Sequence, residues 1–153
     1  KAEGFADMGI SYLDLFIGNR GGSLGEVCIV ALLLGALFLL FKGYIFWHTP
    51  LSFIVSFGVL SWIFLGDRIF SGDWLFHILS GGLTLGAFFM ATDYVTSPLT
   101  RKGQIIFGVG CGLLAAVIRK WGGYPEGVSF SILIMNAAVP IIDRYTKPRI
   151  FGR

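Results

Sequence analysis

The sequence predicts an all-α integral membrane protein, and three observations support this fold class. Hydrophobic residues make up 55% of the 153-residue chain and charged residues only 14%, against about 25% charged in an average soluble domain. The mean hydropathy is +0.77. The apolar residues fall into five runs that are apolar all round. This disfavours a membrane β-barrel, whose strands alternate apolar and polar residues. An ordinary soluble domain is excluded.

The five runs are predicted to be transmembrane or re-entrant helices. They cover Val27 to Phe41, Pro50 to Gly66, Trp74 to Thr92, Gln104 to Ile118 and Gly127 to Ile142. At about 1.5 Å per residue the first run reaches only ~23 Å of a hydrocarbon core that is ~30 Å thick. Some runs must therefore extend into their flanks or be re-entrant, whereas the third is long enough to span alone. Transporter-like folds often pair two five-helix halves in inverted orientation, and we expect this chain to be one such half.

The positive charges of the loops predict the orientation. With five crossings, one side holds Lys1, Arg20, Arg68, Arg119 and Lys120, and the other holds Lys42, Arg101, Lys102, Arg144, Lys147, Arg149 and Arg153. The side with more bases is expected in the cytoplasm. This predicts an extracytoplasmic segment over residues 1–26, a five-helix membrane domain over 27–143 and a basic cytoplasmic tail over 144–153. The four tryptophans lie at or near run ends, as interfacial anchors do.

Small residues inside the runs predict close helix packing. Gly82 and Gly86 form one pair spaced four apart, and Gly108 and Gly112 form another. Such pairs let a neighbouring backbone approach closely, and we favour this interpretation over a ligand channel. Cys28 and Cys111 match no metal-ligand spacing and are interpreted as small buried apolar residues. The net charge of +3 is placed on membrane flanks, so nucleic acid is not expected as a partner.

The third run carries one polar face on an otherwise apolar helix. His77, Ser80 and Thr84 recur at helical spacing, so this face should point into the bundle and not at lipid. His77 is interpreted as a hydrogen-bonded flank near the interface. Neither histidine has a second ligand at metal spacing, and no catalytic triad pattern is present. Hydrolysis and a structural metal site therefore have little support.

The fifth run has a polar face that ends in a carboxylate. Ser129, Asn136 and Asp143 are seven residues apart, which places them within about 20° of one helix face. Because Pro140 has no N–H, the carbonyl of Asn136 loses its helix partner. A freed carbonyl beside a polar face can coordinate an alkali cation, as in broken transporter helices. A proline kink with Asp143 as an interfacial cap is equally compatible with the pattern.

Two glycine-rich helix entries lie on the predicted outer side. Gly18 to Glu26 opens the first run, and Gly122 to Gly127 opens the fifth. Helix N-termini of this kind can hold a phosphate, although a plain helix cap is the commoner use.

Specific motifs spread over almost the whole chain resemble the RnfD family, a membrane component of the Rnf electron-transport complex. They run from Asp14 to Glu26, from Leu79 to Pro98, from Gly122 to Asn136 and from Ile142 to Tyr145. The NqrB family of the sodium-pumping NADH:quinone oxidoreductase is the related alternative. The resemblance implies a membrane subunit of a redox machine that passes electrons between ferredoxin and NAD and moves Na⁺ or H⁺. It also implies other Rnf-type subunits as partners and a bacterial or archaeal cytoplasmic membrane.

The resemblance has one departure, which concerns the flavin. Family members are about twice as long, with two inverted five-helix halves, and bind FMN through a threonine in a Ser-Gly-Ala-Thr motif upstream of the region similar to Asp14. That motif is absent here. The segment Ser80 to Thr84 is superficially similar, but its threonine is not at the position that the motif requires, so we do not assign FMN attachment to Thr84. We expect the second half of such a protein, with FMN attached upstream and riboflavin as a further candidate cofactor. The expected FMN contacts in this chain are Asn19, Gly22, Ser23 and Glu26.

Two carboxylates predict an ion pathway at the cytoplasmic face. Asp93 ends the third run and Asp143 ends the fifth, and by resemblance both match positions associated with cation uptake. Asn136 and Ser129 extend this predicted pathway into the membrane. In the competing interpretation, Asp143 pairs with Arg144 or Lys147 and Asp93 pairs with Arg101.

The composition also permits other functions. A channel or solute transporter of inverted-repeat type, or a purely structural membrane protein, would have the same composition. No complete catalytic site is visible in this chain.

Overall fold

A computed structural model describes residues 28–65, 78–79, 82–122 and 127–146. Every regular element in these ranges is helical. The elements are α1 (Ile29–Phe41), α2 (His48–Phe64), α3 (Leu83–Leu85) followed directly by a π-helical turn (Gly86–Met90), α4 (Arg101–Trp121) and α5 (Gly127–Thr146). The prediction of an all-α fold is confirmed for the part of the chain that the structure describes.

Two helices are long enough and apolar enough to cross a membrane. They are α4 with 21 residues and α5 with 20, each about 30 Å long at ~1.5 Å per residue. Helices α1 and α2 are apolar but shorter. These lengths agree with a membrane protein in which some segments do not span by themselves.

The third run is not one continuous helix, which corrects the expectation that it spans alone. Gly82 has φ of 67°, a left-handed conformation that glycine adopts at little cost and that ends a helix. The chain then forms α3 and the π-helical turn, in which Ala91 N donates to Gly86 O at 2.7 Å. The continuous helix after Gly82 therefore reaches only Met90, about 12 Å.

Helices α2 and α4 pack closely along what we call the glycine–serine seam, formed by Ser52, Ser56, Gly108 and Gly112. A Cβ atom on Gly108 would lie 2.7 Å from Thr49 O and would overlap Ser52 Oγ. A Cβ on Gly112 would overlap Ser56 Oγ and lie 2.9 Å from Phe57 N. The predicted packing role of this glycine pair is confirmed.

Large side chains fill the core on either side of this seam. Phe53 and Phe57 of α2 and Phe107 and Cys111 of α4 are completely buried. Helix α5 joins them where Val128 packs against Gly86 in the π-helical turn. Cys111 is thus a buried apolar residue, as predicted, whereas Cys28 is only half-buried.

One end of the bundle brings together two connecting segments and two helix ends, and we call it the Asp143 end. It contains residues 42–47 between α1 and α2, the loop 91–100, the start of α4 and the end of α5. Trp47 lies at this end, while Trp62 and Trp121 lie near the other ends of α2 and α4, and all three are exposed. These positions agree with the predicted interfacial anchors.

Candidate functional site

The loop 91–100 carries one of the two predicted carboxylates. Asp93 is exposed, and its Oδ2 accepts a hydrogen bond from Thr96 Oγ1 at 3.2 Å. Its backbone carbonyl accepts one from Ser97 N at 3.1 Å. Asp93 therefore shapes the first part of the loop through neutral donors.

The second carboxylate reaches the same loop from α5. Asp143 Oδ1 accepts a hydrogen bond from Leu99 N at 3.2 Å. Beside it, Thr100 Oγ1 donates to Thr146 Oγ1 at 2.8 Å and accepts from Gly103 N at 3.0 Å, which caps α4. These bonds fasten the end of α5 to the start of α4, so the structure brings the two predicted acids to one loop.

The competing interpretation paired these acids with nearby bases. Among the residues that the structure describes, the carboxylates bond to a hydroxyl and a backbone N–H, and not to Arg101 or Arg144. Lys147, the other suggested partner, lies outside those residues. Pairing with Arg101 or Arg144 is therefore wrong for this conformation.

A cavity of about 130 Å³ opens behind the loop. Its wall combines the α1–α2 connection, the first turn of α2, the loop and the first turn of α4. The polar side chains in this wall are Tyr44, Thr49, Thr92, Tyr94, Ser97 and Gln104. Within the described ranges, no lysine, arginine or acidic side chain lines the cavity.

Gln104 is the residue that sequence reasoning missed. It is only 8% exposed, and its Nε2 donates to Pro98 O at 3.3 Å. Its Oε1 is buried and has no hydrogen-bond partner among the described residues. In the sequence Gln104 only marked the start of an apolar run, and its position four residues after the Thr100 cap is the one signal that places it in a first helical turn.

The two other residues of the predicted polar face of α5 lie in different environments, one half-buried and one exposed. Asn136 is half-buried, and its Oδ1 is buried without a hydrogen-bond partner in the part of the chain that the structure describes. Ser129 is exposed, so the structure does not bring it to the cavity. Helix α5 continues through Pro140, and both interpretations of the freed Asn136 carbonyl remain open.

The predicted flavin contacts Asn19, Gly22, Ser23 and Glu26 lie outside the described residues. The same holds for His77 and Ser80 of the predicted polar face, whereas Thr84 is buried in α3. Among the described residues, no group of three or more His, Cys, Asp or Glu side chains could hold a metal ion.

Comparison with known proteins supports the sequence resemblance. The model of the NQR2, RnfD, RnfE family matches residues 2–152. The D subunit of the proton-translocating ferredoxin:NAD(+) oxidoreductase complex of Clostridium ljungdahlii is 52% identical over 98% of this chain and 46% of its own length. The D subunit of the Na(+)-translocating ferredoxin:NAD(+) oxidoreductase complex of Acetobacterium woodii is 50% identical over 93% of this chain and 43% of its own length.

A third relative extends the comparison to another group of bacteria. The D subunit of the ion-translocating oxidoreductase complex of Stutzerimonas stutzeri is 50% identical over 92% of this chain and 40% of its own length. The chain thus spans less than half the length of these relatives. Two of them differ in the ion that their names give, although each is at least 50% identical to this chain.

Proposed function

This chain belongs to the NQR2, RnfD, RnfE family, and we propose that it is the membrane portion of an RnfD-type subunit in a redox-driven ion pump. The pump would couple electron transfer between ferredoxin and NAD to the movement of Na⁺ or H⁺. This activity is the one that the names of two relatives state for their complexes. The chain's role in it would be ion transfer at the Asp143 end.

The observation that carries the proposal is the meeting of Asp93 and Asp143 at one loop. Each acid places a negative charge beside this loop, where it can attract a cation. Because their partners within the described ranges are a hydroxyl and a backbone N–H, hydrogen bonding orients each carboxylate without neutralising its charge.

The further parts of the proposal rest on the resemblance. FMN, and riboflavin as a further candidate, would supply electron transfer when bound, with Asn19, Gly22, Ser23 and Glu26 near the FMN. No step is assigned to these residues, because they lie outside the described ranges. Residues 1–26 would face the outside and the Asp143 end the cytoplasm, across a bacterial or archaeal cytoplasmic membrane.

The expected partners are the other membrane and peripheral subunits of the complex, and a first half of the same protein. Many large apolar side chains of α1 and α5 are exposed in the chain alone, among them Leu34, Phe38, Leu133 and Ile141. Lipid or neighbouring helices would cover such a surface.

The experiment replaces each acid with its neutral isostere in the assembled complex. We expect Asp143→Asn and Asp93→Asn to raise the Na⁺ concentration for half-maximal turnover, or to shift the pH dependence of turnover if the coupled ion is H⁺. Removing one charge at 4 to 6 Å from a cation costs about 1 kcal/mol or more near a protein surface, or roughly fivefold or more in affinity. Flavin fluorescence would remain unchanged and serves as the assembly control.

Arg144→Gln is the matched control, because it removes a neighbouring charge that does not contact Asp143. Its ion dependence should stay near that of the parental complex. If both acid variants leave the Na⁺ and pH curves unshifted, the acids have no part in ion transfer and the proposed role is wrong.

A further inference from the structure

We propose that the cavity behind the loop 91–100 binds a partly dehydrated monovalent cation and that Gln104 Oε1 is one of its ligands. The inference rests on the proposed function and deepens it, because it names a binding place beside the loop to which both carboxylates bond. It uses residues that neither the resemblance nor the acid pair assigns.

The first step is the unpaired oxygen of Gln104. An amide has a donor end and an acceptor end, and here the donor end is used, since Nε2 bonds to Pro98 O. The atom left without a partner within the described ranges is therefore an acceptor, in a side chain that is only 8% exposed. A buried acceptor without a partner is unfavourable by about 1–3 kcal/mol. A cation or a water in the adjoining cavity would remove that penalty.

The second step is the hydroxyl group of Thr92. Its proton is committed to Phe88 O at 2.6 Å, the carbonyl of a residue in the π-helical turn. Thr92 Oγ1 can therefore present only lone pairs to the cavity that it lines. With Thr49 and Ser97 also in the wall, the cavity offers several neutral oxygen atoms, the ligand type that hard cations prefer.

The third step is size. About 130 Å³ is well above the roughly 10–15 Å³ that one water needs in a cavity. This volume accommodates a monovalent cation that keeps some of its water, and it is too small for an organic solute of ordinary size. Neutral ligands also bind weakly enough for the ion to leave, as conduction requires.

The groups that line the cavity favour a cation over an anion. The start of α4 would by itself favour an anion, but Gly103 N already bonds to Thr100 Oγ1, and Leu99 N bonds to the carboxylate of Asp143. With these N–H groups used and no basic side chain among the described residues of the wall, the lining includes Gln104, whose buried Oε1 has no partner within the described ranges.

The test compares Gln104→Leu with Gln104→Glu in the assembled complex. Leucine removes the ligand oxygen, and we expect the Na⁺ concentration for half-maximal turnover to rise by about tenfold, a typical loss for one weakened metal contact. Glutamate keeps an oxygen but loses the bond to Pro98 O, and should hold or lower that concentration. If both variants instead raise it equally, Gln104 acts only by fixing the loop and the ligand role is overturned.

A second pair of variants keeps the proposal testable if the flavin content shows that the Gln104→Leu complex has not assembled. Thr92→Val removes the oxygen at constant shape and should raise the half-maximal Na⁺ concentration, whereas Thr92→Ser should retain the parental value. An unshifted Na⁺ curve for Thr92→Val and for any assembled Gln104→Leu complex overturns the site. A parental complex whose turnover does not respond to Na⁺ overturns it as an alkali-cation site.

The acid variants separate this inference from the function on which it rests. If Asp143→Asn shifts the Na⁺ curve and the cavity variants do not, the proposed function stands and the cavity site is wrong. If none of them shifts it, both are wrong.

Discussion

The glycine–serine seam and the Asp143 end are built from the same helices, α2 and α4, yet they use opposite kinds of contact. Along the seam the backbones approach so closely that a Cβ on Gly112 would lie 3.0 Å from Phe53 O. At the Asp143 end the first turns of the same two helices line a cavity of about 130 Å³. One region excludes any added atom, and the other leaves room for several.

The difference teaches where rigidity and function lie in this bundle. Seam contacts repeat every four residues, so each supports the next and the pair behaves as a fixed unit. The Asp143 end depends on single bonds between distant positions, such as Leu99 to Asp143, 44 residues apart, and Thr100 to Thr146, 46 apart. A site that takes up and releases an ion needs bonds that can open singly, as at the Asp143 end, next to a rigid support such as the seam.

The largest expected effect is on the seam. Gly112→Ala would place its Cβ 2.9 Å from Phe57 N and 3.0 Å from Phe53 O, which are backbone atoms that cannot turn away. We expect destabilisation of about 3 kcal/mol or more, at the high end for overpacking. The measurement is the thermal midpoint of the complex in detergent, with flavin content as a check of assembly.

Gly110→Ala is the matched control for the seam. Its added Cβ would meet only the flexible end of Met135, so the thermal midpoint should fall much less. Equal losses in the two variants would show that the seam is not specially close-packed and would remove the contrast between the regions.

The second prediction breaks the fastening at the Asp143 end. Thr100→Val removes the cap on Gly103 N and the bond to Thr146, and we expect a loss of about 1–2 kcal/mol. Thr100→Ser keeps the hydroxyl and should lose little. Thermal midpoints of the two complexes give the comparison, and a Thr100→Val complex as stable as the serine variant would mean that the fastening contributes nothing.

The seam could be predicted from the sequence because its signal is local. The spacing of Gly108 and Gly112 is visible in a single run, and so are the apolar runs that indicate the all-α fold. The break in the third run could not be predicted in this way, because Gly82 looks like any packing glycine until its φ is known. Composition alone does not say which glycine bends the chain.

The cavity could be predicted only in part. Asp93 and Asp143 were found because charges are rare in such a chain, and charge counting placed them at one face. Gln104 was missed because its importance arises from Pro98, Thr92 and Thr49, which converge on it from a loop and another helix. Such convergence is a property of tertiary packing, and the spacing of residues within one helix does not reveal it.

The smallest expected effect concerns Ser129, and it limits how far the polar site extends along α5. Ser129 shares a helix face with Asp143 by spacing, but it is exposed in the chain, near the end of α5 opposite to the cavity. Ser129→Ala removes one exposed hydroxyl, so the free energy of unfolding should change by less than about 0.5 kcal/mol. The Na⁺ dependence of turnover should also match the parental complex.

Asn136→Leu is the informative companion, because Asn136 lies between Ser129 and Asp143 with a buried Oδ1 that has no partner in the described ranges. A shifted Na⁺ curve for Asn136→Leu with an unchanged curve for Ser129→Ala would restrict the ion pathway to the half of α5 that ends at Asp143. A shift in both would extend the pathway along the whole helix, and the contrast between a fixed seam and a local polar end would then have to be abandoned.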